Sequence, residues 1–140
     1  MRHVTALLFL VFPLCAVPLV ARSQPSAAST ATDEIVVELS SFAYSPDPLR
    51  LRAGVPVRLK FVNKTTHGGH DFAAPAFFAA SAFPPGTTPP PGGSVNLAAG
   101  KTEELTLTPR VPGTFPVRCT HFLHAWFGMT GTIVVAGPSR

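Results

Sequence analysis

Proline and glycine divide this chain into short pieces. Sixteen Pro and eleven Gly are spread through 140 residues, and both disfavour a helix interior. A coiled coil, a helix bundle and a βαβ nucleotide-binding fold fit poorly; many short elements joined by turns fit well. Hydrophobic residues make up 46% against 13% charged, which separates the chain from disordered sequences. The length suits one domain rather than two. Two cysteines are too few for a disulfide-dense scaffold.

Residues 1–23 read as a cleaved signal peptide. Arg2 and His3 open the chain, and no charged residue occurs between His3 and Arg22. Ala21 and Ser23 put small residues where a signal peptidase reads them, so cleavage is expected after Ser23. The rival is a membrane anchor, but the apolar run is slightly short and is broken by Pro13 and Pro18. A lipoprotein would use Cys15, yet Phe12, Pro13 and Leu14 are not the small residues wanted before it. The expected location is periplasmic, with no stable membrane insertion once the signal is gone. Arg2 and Arg22 leave with the signal, so nine Lys+Arg face seven Asp+Glu and the net charge falls from +4 to +2. No basic cluster suits nucleic acid. Cys119 and Met129 become the sole Cys and Met. A lone thiol in an exported protein calls for an intermolecular bridge, a reactive role or a metal.

Residues 24–33, rich in Ser, Ala and Thr, read as a flexible lead-in, and residues 34–137 as the folded domain. Residues 34–40 are short and β-branched. Residues 45–48 form a turn, and residues 49–52 alternate. In residues 55–62, Val57, Leu59 and Phe61 point one way and Arg58 and Lys60 the other, the period of a half-buried strand. Residues 102–108 alternate too, and residues 131–136 close the domain. Residues 114–119 resemble a strand in which Pro116 is restricted to an edge or bulge. Residues 73–83 are apolar with room for one or two helical turns, and Phe77, Phe78 and Phe83 are assigned to the core. Six to eight strands with frequent turns predict an all-β sandwich.

The chemistry concentrates in residues 119–129. Cys119, His124 and Met129 stand at spacing C-x4-H-x4-M between two strands, and His70 lies just beyond the strand ending near Val62. A thiolate, two imidazoles and a weak thioether are the donor set of a mononuclear blue-copper site. The soft thiolate suits Cu(I), imidazole serves both valences, and a distant thioether tunes the potential. Zinc competes, since one Cys and two His could hold it, but a thioether is a poor ligand for that ion. Taken singly, Cys119 and Met129 would read as core fillers.

The loop resembles the copper loop of the cupredoxin (blue-copper) family, with the spacing found in rusticyanin and auracyanin. Gly69, His70, Asp71 and Phe72 resemble the element that supplies the family's first His. Asn63 at a strand end and the closing strand after Gly131 also match. The resemblance covers roughly residues 34–136. It implies a Greek-key β-sandwich holding one copper ion, Cu(I)/Cu(II), with His70, Cys119, His124 and Met129 as ligands and Asp71 and Asn63 beside them. Asp71 departs from the family's Asn or Ser; an ionised Asp accepts hydrogen bonds but cannot donate. Two further histidines are unsettled. His121 is either a neighbour that screens the site or an extra ligand, and His67, in a glycine-rich loop, is either solvated or an extra ligand. Trp126 and Phe127 are either core or an apolar rim around His124.

The function so implied is one-electron transfer by a monomer that docks a redox protein partner at His124. No catalytic set of residues is readable, so an enzyme is not expected. The alternative is a periplasmic copper-binding protein for storage, delivery or resistance, with a copper-transfer partner. A third reading is an adhesion-like sandwich that uses no metal.

Overall fold

The computed structural model describes residues 32–138. The expected signal, residues 1–23, and most of the expected lead-in lie outside the described residues. Ten strands appear among the described residues: β1 Asp33–Ser40, β2 Ala43–Ser45, β3 Leu49–Arg52, β4 Val57–Asn63, β5 His70–Ala73, β6 Ser81–Ala82, β7 Ser94–Leu97, β8 Thr102–Pro109, β9 Gly113–Arg118 and β10 Thr130–Ala136. One helical turn, α1 Pro75–Ala79, stands between β5 and β6. The strands form two five-stranded sheets, β2-β1-β4-β8-β6 and β3-β10-β9-β5-β7. This is the expected β-sandwich, with more strands than the six to eight expected.

Period two decides which side chains go inside. On β4, Val57, Leu59, Phe61 and Asn63 are buried, while Arg58 is exposed and Lys60 half-buried. On β3, Leu49 and Leu51 are buried and Arg50 and Arg52 exposed. A one-residue slip of the parallel β1–β4 register, which sets Ile35 opposite Leu59 and Val37 opposite Phe61, would turn this set to solvent. Phe61, Phe72, Phe78, Phe77 and Phe115 form a chain of ring contacts with centroids 5.1 to 6.4 Å apart. Phe77 and Phe78 are buried and Phe83 packs against the core from a half-buried position. All four residues of β5 are buried, so the strand carrying His70 is enclosed on both faces.

Four strands were not expected: β2, β5, β6 and β7. Each has only two to four residues, a short stretch in which to display a period. β2 and β6 exist because longer neighbours, β1 and β8, offer them a ladder, while β5 and β7, of equal length, pair from His70 opposite Leu97 to Ala73 opposite Ser94. Pro116 shows the converse. Its strand, β9, is central in sheet order, but pairing with β5 reaches only Arg118, so Pro116 has an unpaired flank there and Thr132 opposite it on the other side. Its missing N–H is tolerated for that reason. Gly93 is required by contact as well as by its φ of 69°, because a Cβ there would overlap the Pro75 backbone at the start of α1.

Tyr44 ties the sheets together. Its hydroxyl donates to the Asp71 carbonyl at 2.6 Å, and its ring meets Phe72 edge-on at 5.4 Å. Burial, aided by nearby Cys119 and Asp71, pushes this phenol far above its usual value. The folded state therefore keeps a proton that the unfolded chain loses near pH ~10. The resulting stability is complete below that pH and is lost as pH rises beyond it. Tyr44 is the chain's single tyrosine, so tyrosinate absorbance reads it alone. We expect no ionisation at about pH 10 while the fold persists, and an abrupt rise when it opens. Smooth titration of an intact fold at that pH would contradict this packing.

Candidate metal centre

Two stretches far apart in the chain meet at one end of the sandwich. His70 is the first residue of β5, and Cys119 follows the last residue of β9. Between Cys119 and β10 the chain coils into a loop cinched at its base. Cys119 N donates to Met129 O at 3.0 Å, Met129 N to His124 O at 2.9 Å, and His124 N to His121 O at 3.1 Å. Leu123 turns the loop with φ 62° and Gly128 with φ 99°. The left-handed form costs Leu123 roughly 1–2 kcal/mol, which the surrounding hydrogen bonds must offset.

Ligand atoms of His70, Cys119 and His124 all lie within 4.8 Å of one another. His124 Nδ1 is 3.4 Å from Cys119 Sγ, and the rings of His70 and His124 are 4.9 Å apart. His70 and Cys119 are buried and His124 is half-buried. Burial, followed by the neighbouring His124 and His121, holds His70 below the usual histidine range, against the pull of Asp71. It is therefore a neutral imidazole with a free lone pair. Its Nδ1 is buried without a hydrogen-bond partner, an arrangement that is costly unless the atom has another use. Burial pushes the Cys119 thiol up; a cation there would favour the thiolate. Met129 is fully buried and holds Cys119 and His124 through its backbone. Soft sulfur beside two imidazoles fits a copper ion.

Asp71 joins the two ligand-bearing segments. Its Oδ1 accepts from Thr120 N at 2.6 Å, and its Oδ2 accepts from the hydroxyls of Thr120 at 2.6 Å and Ser94 at 2.8 Å. Burial raises its pKa, but the Thr120, Cys119 and Ser94 hydrogen bonds outweigh that and leave it below the ordinary carboxylate value. Asn63 holds the segment before β5: Nδ2 donates to Leu97 O at 3.1 Å, and Oδ1 accepts from Thr65 N at 3.0 Å and Thr65 Oγ1 at 2.6 Å.

The remaining histidines separate. His67 is exposed on the rim of a hollow that also touches His70 and His124, and belongs to no donor set among the described residues. His121 stacks on His124 with centroids 5.5 Å apart and reaches Cys119 Sγ with Nδ1 at 3.5 Å. Trp126 and Phe127 are rim rather than core, at 85% and 61% exposure. Sequence reasoning missed Phe122 and Leu123, which extend this rim. It also missed Phe42, whose ring meets His124 edge-on at 5.3 Å, and the Asp71 partners Thr120 and Ser94. Phe122 and Thr120 stand beside the ligands in the loop; Phe42 and Ser94 carry no such signal.

The model of the Cupredoxin-like domain family matches residues 10–135. Similar solved structures include auracyanin B, 26% identical over 74% of this chain and 88% of its own, with TM-score 0.56. A Na-dithionite-reduced auracyanin from the photosynthetic bacterium Roseiflexus castenholzii is 23% identical over 76% and 98%, with TM-score 0.57. A multicopper oxidase shares the fold at 20% identity and TM-score 0.57, over 74% of this chain but only 44% of its own. No curated protein matches the chain significantly.

Proposed function

This chain belongs to the cupredoxin-like family, and on that premise we propose that it is a mononuclear blue-copper protein that carries single electrons. His70, Cys119, His124 and Met129 are its ligands. The observation that carries the reading is the convergence of one thiol and two imidazoles within 4.8 Å. Bound copper supplies the redox couple, alternating between Cu(I) and Cu(II).

The chain's own residues supply the rest. β5 and the β9 end hold the donors on two paired strands, and Asp71 locks the strands to each other, so ligand positions change little between valences. Burial of His70 and Cys119 keeps solvent from the sulfur. His124 is the donor nearest solvent; Phe42 lies against it, and Phe127 packs on Phe42 with ring centroids 5.4 Å apart. An apolar rim of this kind desolvates readily against a protein surface, and His124 gives electrons a short route to a redox partner. The role is that of a carrier, not an enzyme. Export by residues 1–23 and a periplasmic setting belong to the same proposal.

Copper handling is the second reading, favoured by His121 lying almost as near Cys119 Sγ as His124 does. Adding Cu(II) to the chain and recording the visible spectrum separates the two. An intense thiolate-to-copper band that survives an added acceptor supports the carrier; weak absorption, or rapid loss of copper to the acceptor, rejects it.

The Asp71 carboxylate bears on the potential. A buried negative charge beside the centre favours Cu(II) over Cu(I). Asp71→Asn keeps an acceptor for Thr120 N and removes the charge. The potential is expected to rise by about 60 mV, the equivalent of a tenfold change in a one-electron equilibrium. An unchanged or lower value in voltammetry would reject this role for Asp71.

A further inference from the structure

Cys119 Sγ belongs to two donor sets. Besides the set with His70 and His124, it forms one with Asp71 and His121, again with all ligand atoms within 4.8 Å of one another. His121 turns a single nitrogen to both companions: Nδ1 is 3.5 Å from Cys119 Sγ and 3.5 Å from Asp71 Oδ1. A carboxylate has about four lone-pair positions, two per oxygen. Asp71 Oδ2 accepts from two hydroxyls, those of Thr120 and Ser94, whereas Oδ1 accepts from Thr120 N. Oδ1 is the oxygen that faces His121.

Access and charge fit a cation. Asp71 and Cys119 are 1% exposed, while the His121 side chain is 38% exposed. A hollow lined by Arg118, Phe122 and Trp126 opens beside His121, and another lined by Gly69, Asn96 and Ala99 also reaches it. The His70–Cys119–His124 set carries one negative charge when the thiol ionises, which balances Cu(I). The Asp71–Cys119–His121 set carries two, which balance a divalent ion. Uncompensated charge is expensive at a buried centre, so the sets differ in the ion that each neutralises. Thiolate, imidazole and carboxylate oxygen are the donors that zinc accepts, and a catalytic-type site of three protein donors leaves its fourth position open.

We propose that Asp71, Cys119 and His121 form a second metal site, for a divalent ion of the zinc class, which competes with the His70–Cys119–His124 site for the one sulfur. Binding releases the thiol proton to solvent. His121 serves as the ligand through which the ion enters.

The test is calorimetric titration of the full, reduced, metal-free chain with zinc alone. Wild type is expected to bind one equivalent. His121→Ala and His121→Gln are expected to weaken zinc binding by at least about tenfold, while His70→Ala leaves it within about twofold. Unchanged thermal midpoints of the metal-free variants exclude misfolding as the cause. Loss of zinc binding in His70→Ala with retention in His121→Ala overturns the proposal, as does equal weakening in both or no effect in either. Absence of zinc binding by wild type also overturns it. A parallel titration with Cu(II) keeps the two readings apart. There, His121→Ala retains the intense visible band and His70→Ala loses it; a wild type without the band rejects the carrier reading and leaves the zinc result standing.

Discussion

Cys119→Ser is expected to abolish the intense visible band of the copper-loaded chain. The band requires a sulfur donor whose electrons transfer to Cu(II), and Cys119 holds the only thiol among the described residues. A serine hydroxyl occupies nearly the same volume but does not ionise near neutral pH and has no comparable charge-transfer transition. His70 and His124 remain to hold copper, giving a weak, ordinary absorption. The fold is expected to survive, because the backbone bond from Cys119 N to Met129 O does not involve the sulfur. Full retention of the band in the serine variant would place the sulfur donor elsewhere and end the blue-copper reading. Loss of copper affinity without loss of the thermal midpoint would support it, since only the donor changed.

The largest stability loss is expected at Phe72. Its side chain is almost wholly buried, with ring centroids 5.4 Å from Tyr44, 5.1 Å from Phe61 and 6.4 Å from Phe78. Truncating a packed aromatic of this kind costs about 3–5 kcal/mol, because the lost transfer energy is joined by an unfilled cavity. For a domain of about 100 residues this corresponds to a fall of roughly 15–30 °C in Tm. Phe72→Ala, followed by denaturant melts with an unchanged slope, should show that loss. Phe72 sits next to Asp71 and two residues from His70 on β5, so the variant should also bind copper less tightly. A loss below about 1 kcal/mol would mean that the rings are not packed as described.

The two variants separate what the site needs. One removes a donor and spares the frame; the other loosens the frame and spares the donors. A carrier depends on both, because ligands held by a rigid sandwich need not rearrange when the valence changes. The Asp71 hydrogen bonds act between these extremes, joining β5 to the residue after Cys119 without being consumed by the first donor set.

Much of this was legible in the chain alone where the information is local. Alternation along β4 and over the second half of β8 marked strands and their inward faces, since side-chain direction repeats every second residue whatever the strand packs on. Cys119, His124 and Met129 share one loop, so their separation in sequence already limits their separation in space. What the amino-acid order could not decide was every relation between distant segments. Thr120 reaches Asp71 across 49 positions and Ser94 across 23. Phe42 covers His124 from the turn between β1 and β2. His121 and His67 looked alike as spare imidazoles, yet one touches the sulfur and the other stands at an exposed rim. Those outcomes depend on sheet register and on which short strands find a ladder. Both are set by the summed packing of two sheets, an energy that no window of neighbouring residues contains.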